Sequence, residues 1–308
     1  MSNAPMSTRS SDFWFDDGNV ILEAGNVSFR VHISILCRNS VVFRDLFDIP
    51  QGSVSEESDG CPVVRLHDSS ADVSALLSTL YDGRKYLHPS HAPLPFSTVA
   101  SLIRLGHKYQ MADVLEGALA RLKSCFSNRR SDLHHWTANA SPTMTMTNED
   151  AIAALNLARL TQSDTILPLA TFGCCLLEEE LIVNGVARED GSRDELSKED
   201  VIRVFKTRQR IHAHDLKSIS LYKACSPNCS NESGCARGLS KFREILLDPE
   251  DGPLFYCNSF RSFLGRDAPP YLCNDCKEFI DKKDDEREHQ SWVELPHITD
   301  VNMEVWAL

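Results

Sequence analysis

The stretch from Phe13 to Phe47, FWFDDGNVILEAGNVSFRVHISILCRNSVVFRDLF, constrains the fold more than any other part of this 308-residue chain. Asn19 to Glu23 (NVILE) reads as a strand. Val27 to Val31 (VSFRV) alternates apolar and polar residues, as the returning strand of a hairpin does. Ala24-Gly25-Asn26 supplies the turn between them, because Gly and Asn tolerate positive φ. Ile33, Leu36 and Cys37 then follow helical spacing. Ser40, Val42, Phe43, Leu46 and Phe47 predict a second short helix, ended by Pro50 and Gly52. The stretch holds no catalytic constellation and predicts a scaffold for protein contact.

Downstream, Pro62 to His67 (PVVRLH) is a third strand candidate. Ser69-x-x-Asp72 has the form of a capping box, in which each side chain satisfies an unpaired backbone donor of the other residue. Behind it Val73, Leu76, Leu77, Leu80 and Tyr81 form one buried helix face, stopped at Asp82-Gly83. After a Pro-rich loop come two more helices, one on Val99, Leu102, Ile103, Gly106 and Tyr109, the other on Leu115, Ala118, Leu119, Leu122 and Phe126. Hairpin, helix pair, strand, helix, loop and helix pair together predict an α+β module with helices gathered against a small sheet.

Five regions are expected. Residues 1–11 are small and polar and predict a disordered N-terminus. Residues 12–127 carry the α+β module. Residues 128–149, rich in Ser, Thr, Asn and Arg, predict a linker. Residues 150–224 are mainly helical. Within them Thr147-x-x-Asp150 and Ser197-x-x-Asp200 open helices over 151–160 and from 201, and 166–183 reads as one helix. Residues 225–308 are cysteine-rich and irregular, closed by a helix over about 274–295.

The formal charge of −12 argues against a general nucleic-acid or anionic-membrane binder, since both partners are polyanions. No apolar run approaches the ~18 residues of a membrane span, and MSNAPMSTRSSD has no signal-peptide core. The chain is therefore expected in the cytoplasm or nucleus, where its 11 cysteines meet a reducing environment and a disulfide framework is not expected.

The Phe13–Phe47 pattern resembles the BTB/POZ domain. The residues that carry the likeness are Asp16-Asp17 before the first strand, Phe29 in the second, His32 opening the helix, then Leu36, Ser40, Phe43 and Phe47. The order of elements agrees as far as Phe126. FWFDDGNV and the C-terminal LCNDCKEF…WVELP look most like BTB proteins common in fungi. The resemblance implies a non-enzymatic protein–protein interaction module that is usually dimeric, built from the segment before the first strand and from the first helix. Phe13, Trp14, Phe15 and Ile33 occupy those positions, and aromatic residues of this kind are enriched at interface cores. The alternative use of the aromatic trio is in its own domain's core.

His32 has no Ser, Cys or carboxylate partner at recognisable spacing, and the family uses this His structurally. Ile33 stands where repressor-type members carry an Arg, so their charged pocket is not expected. Val54-Ser55-Glu56 fits the apolar-x-Glu motif by which some BTB adaptors dock on a cullin scaffold. A substrate adaptor of a cullin-RING ubiquitin ligase is thus an alternative reading, and a zinc-containing transcriptional regulator another.

Cys225, Cys229, Cys235, Cys257, Cys273 and Cys276 fall in the last third of the chain. Cys273-Asn-Asp-Cys276 runs directly into a helix, whose N-terminus favours thiolates. With an upstream pair it would make a closed, structural Cys₄ zinc site; Cys229, Cys235, Cys273 and Cys276 are the favoured four, with Cys225 or Cys257 as alternatives to an upstream member. Such an ion would order a segment with a thin core. The alternative is free thiols. The basic stretch Arg203, Lys206, Arg208, Arg210, His212, His214 and Lys217 reads as a solvated helix face. No P-loop, dinucleotide fingerprint, nucleophile elbow or metalloprotease motif appears.

Overall fold

The computed structural model describes residues 7–49, 56–83, 92–188, 190–246, 272–303 and 306. Its first sheet grows from the predicted hairpin. β1 (Thr8–Trp14) lies parallel to β3 (Val27–Val31), and β3 pairs antiparallel with β2 (Val20–Ala24). Gly25 makes the turn at φ 55°, a left-handed conformation that costs Gly nothing. After α1 (Ile33–Asn39) and α2 (Val41–Asp48), β4 (Glu57–Ser58) and β5 (Cys61–Leu66) complete a five-stranded sheet of order β1-β3-β2-β5-β4. The strand β1 begins inside the segment expected to be disordered. Its Thr8 N–H donates to the Asn26 carbonyl at 2.8 Å, and only residues 7 onward are described there.

Short polar side chains set the helix starts. The Ile33 N–H of α1 is taken by the Asn19 side chain at 2.9 Å. Ser40 caps α2 by accepting from the Phe43 N–H at 3.1 Å, while its own hydroxyl donates to the Tyr109 carbonyl at 2.6 Å. Phe43 stacks on the Tyr109 ring with centroids 4.6 Å apart. One serine thus ties both short helices to the end of a third.

α3 (Ser70–Asp82) packs on β2, α4 (Phe96–Lys108) packs on α3, and α5 (Ala112–Cys125) packs on α4. Between α3 and α4, β6 (Leu94–Pro95) pairs with the later β7 (Met144–Thr145). Ser69 caps α3 through the Asp72 N–H at 3.1 Å, but Asp72 does not return the bond as a capping box would. Its carboxylate accepts from the Ser101 hydroxyl of α4 and from Arg188 at 3.0 and 3.2 Å.

The segment expected as a linker is packed structure. It contains α6 (Leu133–Thr137) and β7, and buries Leu133, Trp136 and Met144. Trp136 meets Phe172 at 5.4 Å between ring centroids. α7 (Asp150–Leu160) and α8 (Leu167–Cys175) follow, then α9 (Glu179–Asn184), so the single helix expected over 166–183 is two. Arg208 holds the break: its guanidinium donates to the Cys175 carbonyl at 2.8 Å and to the Leu177 carbonyl. Positive charge at a helix C-terminus satisfies carbonyls that have no helical partner.

A small hairpin of β8 (Val186–Ala187) and β9 (Arg193–Asp194) reaches back over the first module. Arg188 pairs with Asp72 there, and Asp194 accepts from Arg104 of α4 at 3.0 Å. α10 (Lys198–Ile219) carries the basic stretch, α11 (Glu232–Leu246) follows, and α12 (Asn274–Ile298) closes the chain. α11 falls in a region expected to be irregular.

Buried side chains form two cores. The larger runs without a gap from Phe13 through Val204, Ile211, Trp292, Leu295 and Ile298, so it crosses the boundary expected at residue 127. The smaller gathers Tyr222, Cys235, Leu239, Phe242, Leu272, Cys276 and Ile280. α12 enters both: its N-terminal half lines the small core and its C-terminal half the large one. At the joint, Tyr222 donates to Asp284 at 2.5 Å, and Arg287 donates to the same carboxylate at 3.0 Å. All three are buried, which keeps the charged pair matched in a dry place.

Candidate functional site

Strand alternation separates the aromatic trio. Phe13 points inward and is 6% exposed; it lies 6.1 Å from the Tyr81 ring in the main core. Phe15 also packs inward, stacked on Tyr81 at 4.7 Å. Trp14 points the other way, half-buried, with the Arg9 guanidinium 4.4 Å above its ring. Ile33 is half-buried against the core edge. At the two ends of α2, Val41 is 45% exposed and the C-cap residue Ile49 62%, although both are large and apolar.

His32 serves the fold. Its backbone N–H donates to the Tyr81 hydroxyl at 3.0 Å, and its Nδ1 lies 2.9 Å from the same oxygen. Its Nε2 faces Asp17 at 3.2 Å. With both nitrogens engaged, the ring locks the strand-to-helix corner. Burial pushes the Tyr81 phenol above its ordinary range. Glu56 is exposed at the head of β4, paired with Arg65 at 2.7 Å, and Arg65 also meets Glu23 at 3.2 Å. Val54 lies outside the described residues, as does Cys257.

The second constellation is sulfur. Cys229 sits in the loop before α11, Cys235 in the first turn of α11, Cys273 at the N-cap of α12 and Cys276 in its first turn. Their four Sγ atoms lie within 4.8 Å of one another, and Cys229 and Cys273 are 3.9 Å apart. A tetrahedral ion with sulfurs at about 2.3 Å holds them about 3.8 Å from each other, so small movements suffice to ligate. Two helix N-termini face this cluster. The Ser226 N–H donates to Cys276 Sγ and the Cys273 N–H to Cys235 Sγ, each at 3.3 Å.

Those donors favour thiolate. The backbone N–H of Cys276, with that of Ser230, draws the Cys273 thiol down to about 6. Burial instead pushes Cys276 and Cys235 up. A divalent cation supplies the charge that lets all four deprotonate together. The four cysteines can therefore hold a metal ion. They are the four singled out from spacing; Cys225 lies at their edge, its sulfur 3.9 Å from the Glu232 carbonyl and beside Cys229 and Cys276.

The basic stretch is partly structural. Arg208 caps α8, Arg203 pairs with Asp200, and Arg210 donates to the Ile298 carbonyl at 3.1 Å. Lys206, His212 and Lys217 remain solvent-exposed.

Residues 9–124 match the family model described as the BTB/POZ domain. This part of the chain is a BTB/POZ domain. The match spans β1 through α5 and includes the His32 corner, the Ser40 cap and the outward Trp14. A search of curated proteins finds no match to the chain. BTB/POZ domains are protein-interaction modules and are typically not catalytic. The BTB core continues into the helices that follow, and the cysteine cluster lies outside the matched residues. Among the described residues no helix is long and apolar enough to cross a membrane.

Proposed function

We propose that the chain is a self-associating BTB interaction protein that recruits a protein partner, with a structural zinc ion pinning its C-terminal helices. The observation that carries self-association is the exposure of two large apolar residues at the ends of α2, Val41 in its first turn and Ile49 at its C-cap. Large apolar side chains gain by leaving water, about 25 cal/mol for each Å² covered. Ile33 on the adjoining α1 and Trp14 on β1 extend the set of residues assigned to contact.

Two differently tagged copies, co-expressed, test this reading. Wild-type copies co-purify, and Val41→Asp with Ile49→Asp abolishes co-purification while each chain stays folded. Persistence of the pair in the double variant removes α2 from the interface.

The zinc reading rests on four convergent soft sulfurs, with no carboxylate or imidazole in the group. Thiolate-only tetrahedral sites suit zinc, and a site with all positions filled by protein is structural. Metal analysis of the purified chain should return one zinc per chain. Cullin docking is a second reading, favoured by the exposure of Glu56 beside an edge strand. Glu56→Arg should then remove a cullin from affinity-purified material; purification with no cullin present overturns it.

A further inference from the structure

The four thiols differ in access. Cys235 and Cys276 are buried among Leu239, Phe242 and Ile280, whereas Cys229 and Cys273 are half-buried at the rim. The rim pair is also a matched one, with sulfurs 3.9 Å apart. A disulfide needs about 2 Å between sulfurs, and Cys229 lies on a loop between two helical segments, where the backbone can take up that approach. Cys225 is a neighbour at a similar depth, its sulfur 3.9 Å from the Glu232 carbonyl and also beside Cys229 and Cys276, so its own part is tested by substitution.

We propose that Cys229 and Cys273 form an oxidisable clasp: a peroxide closes them into a disulfide, and the metal ion is released. The inference rests on the zinc reading above. The Cys273 thiolate attacks one peroxide oxygen, the O–O bond breaks, and a sulfenic acid forms as hydroxide leaves. The Cys229 thiolate then attacks that sulfur, the S–S bond forms, and the S–O bond breaks to release a second hydroxide. Two thiolates lose two electrons and one peroxide gains them. With Cys229 and Cys273 joined, only Cys235 and Cys276 would remain to hold an ion, and on its release they would take up protons.

The consequence is local. The clasp joins the loop before α11 to the N-terminus of α12, and the Tyr222–Asp284–Arg287 joint beyond it is untouched by the reaction. Oxidation therefore changes how these two helix starts are held without dissolving the main core.

The experiment uses the full chain, reduced and loaded with zinc, titrated with hydrogen peroxide. Released zinc is read with a chromogenic chelator, and linkages are mapped by mass spectrometry of a non-reducing digest. The expected result is one zinc released per chain with a Cys229–Cys273 linkage, unchanged in Cys225→Ser. Linkage through Cys225, Cys235 or Cys276, or thiol oxidation with zinc retained, overturns the proposal. A chain that takes up no zinc overturns the metal reading and the release with it. In that chain the mapped pairing still decides which thiols are oxidised: Cys229–Cys273 supports the clasp and any other pairing refutes it.

Discussion

Phe13 and Trp14 are neighbours on one strand with opposite surroundings. Phe13 fills the main core beside Tyr81, and Trp14 faces out beneath Arg9. Their substitutions should separate accordingly. Phe13→Ala should cost about 3 kcal/mol in denaturant unfolding, the usual loss for a buried aromatic. Trp14→Ala should leave the unfolding midpoint nearly unchanged and weaken self-association instead. Asp72 is a second residue whose role exceeds its position. Removing its carboxylate by Asp72→Ala takes from Arg188 its paired carboxylate, leaving Asp190 and Asp194 nearby, and leaves the Ser101 hydroxyl with the Ser97 carbonyl alone. The expected loss is about 2 kcal/mol, below the range for a fully buried pair because Arg188 keeps some contact with water. Periodicity identified Ser69-x-x-Asp72 as a helix start. It could not show that Asp72 answers an arginine 116 residues away, because that partner is set by tertiary packing.

Among the elements, those with local signals were legible. The β2–β3 hairpin carried its turn residues, and α3, α4 and α5 carried unbroken apolar faces. β1 was missed because Thr8 to Asp12 has no apolar alternation; it is held by pairing to β3 and by the inward Phe13. α11 was missed because Gly234 and Gly238 depress helix propensity, although Cys235, Leu239 and Phe242 do share a face in the small core. The cysteine set was readable from C-x-x-C spacing beside a helix start, since ligand geometry is local at one end. Two predictions belong here. Gly185 holds φ at 71°, and a Cβ there would collide with the Asp194 carbonyl. Gly185→Ala should cost about 2 kcal/mol and open residues 185–195 to limited proteolysis. Chelation should remove helical signal from α11 and the start of α12, read by circular dichroism and by new cleavage near residues 225–246. Protection of the same segment after chelation would count against metal support.

At the scale of the whole molecule, the boundary expected at residue 127 is not a boundary in the core. α4 packs on α7, and Arg104 and Asp72 are met by the β8–β9 hairpin. A chain ending at residue 127 uncovers that surface. It should unfold roughly 10 °C or more below the intact chain, since a few kcal/mol displaces a small domain's midpoint by that much. Composition alone suggested separate regions, because the 128–149 segment is polar in sequence, yet Leu133, Trp136 and Met144 within it are buried and Met146 packs half-buried against the same core. The BTB module is thus presented on a larger helical body, with its α2 side turned outward. Sedimentation equilibrium on the intact 34.5 kDa chain tests that arrangement most directly. Twice the chain mass is expected for the wild type and the single-chain mass for Val41→Asp with Ile49→Asp. A wild-type chain that sediments as a monomer at tens of micromolar, or a double variant that remains a dimer, would contradict it.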